Sequence, residues 1–261
     1  MASTYLTKVA PAAGNRTKGT ISMWVKRGSL GSTEYLYTEY LNSTDHGVVY
    51  FSGANGLNIK SVNGNSAEMQ LSTNRLFRDT NAWYHLVFAW DTSQGTAADR
   101  VKMYVNGVQE TSFQSGYENY PSQNANSEYF QAADALIGVN ENTTQHFEGY
   151  MSHVAMSHGY AYGPTNFGET DSTSGIWKFK SPSGITWGTN GFHLKFENSG
   201  ALGTDSSGNS NTFTVVGTPT QNIDSPTNNF AVMNPLDNYY TVNSFSNGNT
   251  TVTTPNSGYS G

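Results

Sequence analysis

Asn81-Ala82-Trp83-Tyr84-His85-Leu86-Val87-Phe88-Ala89-Trp90-Asp91, followed after a polar gap by Arg100-Val101-Lys102-Met103-Tyr104-Val105-Asn106-Gly107-Val108, decides the fold class. In the second run Val101, Met103 and Val105 alternate with Lys102 and Tyr104, the period of two that marks a half-buried strand. Asn106-Gly107 then places two adjacent residues that tolerate positive φ between apolar neighbours, as a type I′ hairpin turn requires. Trp83 to Trp90 is apolar on both faces, which predicts a strand in the middle of a sandwich. His85 is expected to be a buried histidine hydrogen-bonded to backbone, because buried polar groups are paired.

Similar short runs recur from about Gly19 onward: Thr20 to Lys26, Tyr35 to Leu41, Val48 to Phe51, Leu57 to Val62, Met69 to Leu71, Ala135 to Val139 and Tyr150 to Met156. Phe192 to Phe196 and Phe213 to Val216 complete the set. Clusters such as Ser52-Gly53-Ala54-Asn55-Gly56 and Asn63-Gly64-Asn65 separate them and supply turn chemistry. No segment sustains a period of 3.6 residues. The prediction is an all-β chain, an antiparallel two-sheet jelly-roll sandwich whose inner faces interdigitate. By parity Ile21, Met23 and Val25 face the core with Trp24 opposite, and Phe192, Leu194 and Phe196 face in while His193 and Lys195 face out. Trp24, Trp83 and Trp90 are nonetheless all large enough to be assigned to the core, and Tyr35, Tyr37 and Tyr40 stay open between core and surface.

The 261 residues are enough for one large β domain or two small ones. Only 12% are charged, and 19 acidic against 13 basic residues give a net charge of −6 with no Lys/Arg cluster. A nucleic-acid partner is therefore not expected. The absence of cysteine excludes disulfides and thiolate metal sites. No run of 18 consecutive apolar residues occurs and Met1 to Gly19 lacks a secretory apolar region, so the chain reads as soluble, without membrane insertion. Past Asn198 the texture becomes Gly/Asn/Ser/Thr-rich. Residues 1–217 are assigned to the sandwich, and residues 218–261 to a linker and extended tail that begins a further β module or pairs with another subunit.

The block Trp83-Tyr84-His85-Leu86, Val101 through Val108, Leu136-Ile137-Gly138 and Phe147-Glu148-Gly149-Tyr150-Met151-Ser152-His153-Val154 resembles the laminin-G-like, concanavalin A-like lectin/glucanase superfamily over roughly residues 18 to 160. Gly168-Glu169-Thr170-Asp171, Gly175-Ile176-Trp177-Lys178, Gly188 through Phe196, and Gly203 through Asn209 look like the second half of such modules in tailed-phage virion proteins. The resemblance implies a non-enzymatic virion structural or decoration module, on capsid or tail fibre, assembled in the host cytoplasm and released by lysis. Its partners would be other virion proteins or copies of itself in a homo-oligomer, with host or environmental glycans as attachment targets. The alternative is a carbohydrate-binding lectin domain of a bacterial surface or secreted adhesin.

Glycoside hydrolysis needs two carboxylates across the scissile bond, about 5 Å apart in retaining enzymes. Glu169-Thr170-Asp171 is followed by serines and threonine, and the strand over Phe147 to Met156 carries only Glu148, so no catalytic residue is assigned. His153 and His158, five apart on a strand, point to opposite faces and cannot share a zinc ion. No cofactor is expected. The resemblance does bring calcium into consideration, with Asp205 and Asn209 as candidate ligands; the competing reading of that loop is an Asx turn that needs no metal. Tyr117, Tyr120, Tyr160 and Tyr162 lie in Gly/Asn/Ser-rich context and are the candidate ligand or interface residues.

Overall fold

The structure, a computed structural model, describes residues 4–9, 12–235 and 243–254. Residues 236–242 and 255–261 of the expected tail lie outside these described residues. In chain order the strands are β1 (Tyr5–Val9), β2 (Lys18–Arg27), β3 (Glu34–Asn42), β4 (Asp45–Phe51), β5 (Gly56–Asn63) and β6 (Ser66–Leu76). They continue as β7 (Tyr84–Asp91), β8 (Val101–Val105), β9 (Val108–Glu110), β10 (Phe113–Asn119), β11 (Asp134–Ile137) and β12 (Gly149–His158). The last are β13 (Gly168–Thr170), β14 (Trp177–Phe179), β15 (Phe192–Leu194), β16 (Thr214–Val216), β17 (Ser244–Ser246) and β18 (Thr251–Thr253). The helical content of the described residues is two short 3₁₀ turns, Ala97–Asp99 and Pro164–Asn166.

Two antiparallel sheets form the sandwich, eight strands in the order β10-β6-β5-β4-β3-β11-β1-β16 and six in the order β15-β12-β2-β7-β8-β9. The expected all-β jelly-roll class is what the chain adopts. β7 sits between β2 and β8, in register from Val25↔Tyr84 to Lys18↔Asp91 and from Leu86↔Val105 to Trp90↔Val101. The turn after β8 has Asn106 at φ 48° and Gly107 at φ 81°, the double positive φ its sequence asks for. Ile21, Met23, Val25, Phe192 and Leu194 reach the common core with Leu36, Val49, Phe51, Leu57 and Ile59 of the facing sheet, as their parity requires. Rings fill the centre: Trp90 lies 5.2 Å from Tyr129, and Phe77 lies 5.4 Å from Phe51 and 5.2 Å from Tyr84.

The two-faced apolarity of β7 has a specific cause. Its inward residues Tyr84, Leu86, Phe88 and Trp90 join the core, while the outward Val87 is covered by residues 160–187, a loop-rich roof carrying β13 and β14. Phe167 and Ala155 bury with Val87, and Tyr162, Ile185 and Trp187 pack on them. Trp24 is therefore not in the inter-sheet core: its ring stacks on His85 at 4.6 Å and 14°, and His85 stacks on Trp177 of the roof at 5.9 Å and 18°. A Cβ on Gly107 would lie 2.5 Å from that Trp177 ring, so the hairpin glycine serves the close approach as well as the turn.

The remainder of this face is strapped by residues 222–233. Asp224 bonds the buried Lys26 ammonium (2.7 Å) and the Trp83 indole N–H (2.7 Å), while Asn229 and the Phe230 carbonyl take the rest of the Lys26 head group. Trp83 thus also lies outside the inter-sheet core, held by a polar partner that its N–H needs when buried. Asn81 clips the strap further, through its side-chain oxygen to Val232 N–H and its carbonyl to Asn229. β1, β10, β13 and β14 were not anticipated. Each is short or broken by polar residues, and strand pairing rather than local pattern holds it, as with Leu6↔Ile137 and Tyr5↔Val216.

Candidate functional site

The outer face of the eight-stranded sheet lies on the side of the sandwich opposite the roof and strap. Residues alternating with the core positions Leu36, Val49, Phe51, Leu57, Ile59 and Leu71 lie there. Tyr35 of β3 and Tyr50 of β4 are direct register partners, and their rings stack at 5.1 Å and 19°. The row continues through Asn58 of β5 and Ser72 of β6, paired Tyr50↔Asn58 and Asn58↔Ser72. The Ser72 hydroxyl donates to Asn58 Oδ1, and Asn58 Nδ2 donates to the Gly56 carbonyl at 3.1 Å, so the amide is fixed.

The edge strand β10 loses register between Phe113 and Glu118, and Tyr117 lies in that irregular stretch, half exposed. Burial, and then the neighbouring Tyr117, raise the Tyr50 phenol above its ordinary range. Tyr35 is pushed up to about 12 by burial first and by Glu141 and Tyr50 next. Glu141 also acts on His46, whose pKa is lowered by burial against the opposing pull of that carboxylate, and Tyr40 lies 6.5 Å from the His46 ring. The loop bearing Glu141 is braced by Asn140, whose side-chain oxygen accepts from Thr144 N–H (2.8 Å) and Gln145 N–H (3.0 Å). The face is a shelf of neutral, half-buried phenols whose rings suit the C–H face of a flat polyol, underlain by the buried Asn58 and Ser72, which bond one another.

Of the residues singled out in the sequence, Tyr117 is brought to this shelf. Tyr120 turns back to the core and donates to Glu118 at 3.0 Å. Tyr160 and Tyr162 sit on the roof, rings 6.1 Å apart; Tyr160 is exposed, whereas the Tyr162 hydroxyl accepts from Thr186 N–H and its ring is packed. Tyr37, left open earlier, is a core residue beside Glu39, whose carboxyl burial lifts to about 7. Tyr35 and Tyr50 went unassigned because their common face depends on register, which a single strand does not reveal.

His85 is buried as expected but bonds side chains rather than backbone. Trp177 Nε1–H donates to its Nδ1 at 2.9 Å, so the other nitrogen carries the proton and donates to Ser22 Oγ at 2.9 Å. The strand ladder occupies the surrounding backbone groups, which leaves the imidazole to the roof, and burial pushes its pKa down to about 3. His153, at a bulge in β12, stacks on Phe179 at 3.7 Å and meets His193 at 3.2 Å, while His158 lies against Phe130 of the core; the two do not converge.

The Asp205 carboxylate accepts from the backbone N–H groups of His193 (2.9 Å), Ser207 (2.8 Å) and Asn211 (2.8 Å) and from the Ser207 hydroxyl (2.8 Å). That fills the roughly four acceptor positions of a carboxylate. Asn209 spends its amide N–H groups on the Gly188 and Gly191 carbonyls. Calcium takes about six to eight oxygen ligands, so this loop does not fit the ion. Among the described residues no group of three or more His, Asp or Glu side chains is arranged to hold a metal. Glu169 and Asp171 form an exposed cluster with Lys178 on the roof, at 3.6 and 2.9 Å.

A search of curated proteins gives no match. Among solved structures, a Bacteroides ovatus protein described as carbohydrate-binding aligns at 14% identity with a TM-score of 0.52, over 85% of this chain and 58% of that one. The heptameric SAP-like pentraxin of Limulus polyphemus aligns at 15% identity over 75% of this chain and 86% of that one, with a TM-score of 0.46. Mouse laminin alpha1 domains LG4-5 align at 11% identity over 70% and 42%, with a TM-score of 0.40. At such identities the likeness to the first of these is one of fold. The Laminin_G_3 model matches residues 2–160, and the chain therefore belongs to that family of the concanavalin A-like lectin/glucanases superfamily.

Proposed function

We propose that the protein is a non-catalytic glycan-binding module that docks sugar on the open tyrosine shelf, and that it serves in a virion as a decoration or fibre component. The observation that carries the glycan reading is the stacked Tyr35/Tyr50 pair beside the half-exposed Tyr117 on the outer face of the larger sheet. Membership of a lectin/glucanase superfamily supports it, as does the polar, weakly charged composition. Replacing Tyr35 and Tyr50 together by Ala removes both stacking surfaces and, at about 0.5–1.5 kcal/mol per aromatic contact, should weaken binding to the best ligand of a glycan array by about five- to 150-fold. Equal affinity of the double variant and the parent, by titration calorimetry, refutes the shelf as the site.

The virion placement rests on the resemblance of residues 168–209 to phage modules. Peptides of this chain in purified particles support it. Recovery of the chain solely from bacterial surface or secreted fractions overturns it in favour of an adhesin.

A further inference from the structure

A second concavity, a cleft of about 1190 Å³, opens between the sandwich rim and residues 218–227 and 245–249, on residues other than the tyrosine shelf. The geometry points to a second carbohydrate site here, one that takes the end of a neutral oligosaccharide. Three independent features of the lining converge.

The first is unmet hydrogen bonding. Asn249 is 3% exposed and lines the cleft, yet its side-chain Nδ2 has no partner, and the buried His146 Nδ1 on the same lining is also unpaired. An orphaned buried polar atom costs about 1–3 kcal/mol, and native proteins hold few of them.

The second is backbone strain. His153 (φ 48°) and Phe196 (φ 60°), both cleft residues, occupy the left-handed region that bulky side chains avoid. Such conformations cost about 1–3 kcal/mol each and gather where a ligand is clamped.

The third is the chemistry of the wall. Among the described residues nothing bonds the Glu148 carboxylate, while its backbone N–H donates to Glu34 and its carbonyl accepts from Gly28 N–H. Glu148 is acceptor-only, the Asn249 amide nitrogen is donor-only, and neighbouring sugar hydroxyls, each donor and acceptor, satisfy both at once. Tyr150 supplies a half-buried ring at the same wall, anchored through its hydroxyl to the Asn247 carbonyl (3.1 Å). The unpaired carboxylate disfavours an anionic ligand. Of the other acids on the lining, Glu34 is bonded by Arg27 (2.7 Å) and Ser29 (2.6 Å), Asp224 by Lys26 (2.7 Å) and Trp83 (2.7 Å), and Glu197 faces Lys195 at 3.7 Å.

The cleft can be tested separately from the shelf. Neutral hexasaccharides of glucose, mannose, galactose and N-acetylglucosamine are titrated into the full chain, and the Asn249 side-chain amide is followed by NMR. A saturable shift is expected with at least one probe, in the parent and in the Tyr35→Ala/Tyr50→Ala variant alike. Glu148→Gln and Asn249→Gly should each weaken that binding about tenfold or more, and Asn249→Gly should not lower the melting temperature, because it removes an orphan and glycine accepts the φ of 65° at that position. No shift with any probe at millimolar concentration, shifts that vanish with the shelf variant, or release of reducing ends from a probe would each overturn the inference.

Discussion

Replacing His85 by Phe tests the roof and the buried imidazole together. The ring lies between Trp24 and Trp177, and Phe keeps a flat apolar ring there while deleting both nitrogens. Burial holds the folded pKa at about 3, against about 6.5 for the unfolded chain. Because the folded value is depressed, the unfolded state binds the extra proton below pH 6.5; the neutral imidazole's contribution is whole above that value and drains away as pH falls towards 3. Between about pH 7.5 and about pH 4.5 the unfolded chain gains its proton and the native state does not, a loss on the order of 3 kcal/mol.

At about pH 7.5 the variant should be about 2–4 kcal/mol less stable, since Trp177 Nε1–H and Ser22 Oγ lose their partner. That deficit should shrink by about 3 kcal/mol at about pH 4.5. The Glu39 carboxyl, lifted to about 7 by burial, has the opposite sign, stabilising at low pH and losing that contribution as pH rises through about 7; it is common to both proteins and cancels in the difference. Urea unfolding followed by far-ultraviolet circular dichroism at the two pH values gives the comparison. An unchanged stability gap, or an imidazole titrating near its ordinary value in the NMR spectrum, would refute the reasoning.

Asp224→Ala should leave the Lys26 ammonium buried without its carboxylate, a cost of about 3–5 kcal/mol, and loosen the strap. Limited proteolysis should then cut between residues 218 and 235, and an unaltered cleavage pattern would contradict the latch. Asp205→Ala removes four hydrogen bonds and should lower stability by about 2–4 kcal/mol. Millimolar calcium should leave the melting temperature of the parent unchanged; a rise would show that the loop does take the ion.

The inner layer of this fold is legible in the sequence because strand parity is local. Val101–Val105 appears with its predicted ends, and Ile21, Met23 and Val25 face the core their alternation assigns. The roof is foreshadowed only by its effect, the apolarity of Val87 and Ala89 on the outward side of β7. Which segment supplies it depends on Trp177, 92 positions after His85, and no local pattern encodes that separation. The same limit hid Asp224, whose bond to Lys26 spans 198 positions, and the shelf, where Tyr35 and Tyr50 become neighbours only once β3 and β4 pair. Tyr117 was within reach because exposed tyrosines in polar context are few, whereas Asp205, picked by its oxygen-rich neighbours, proves to be a turn organiser.

The pairing of β1 with β16 carries a consequence for how the sandwich is assembled. Tyr5 and Val216 stand opposite one another at one margin of the larger sheet, so that margin stays unfinished until the second of them has been synthesised. Loop-closure entropy grows slowly with length, but non-local pairings of this kind slow folding, since the chain must be brought together before contacts reward it. During translation the Leu6 backbone waits with one side unsatisfied, a template for intermolecular pairing that the arrival of Val215 removes.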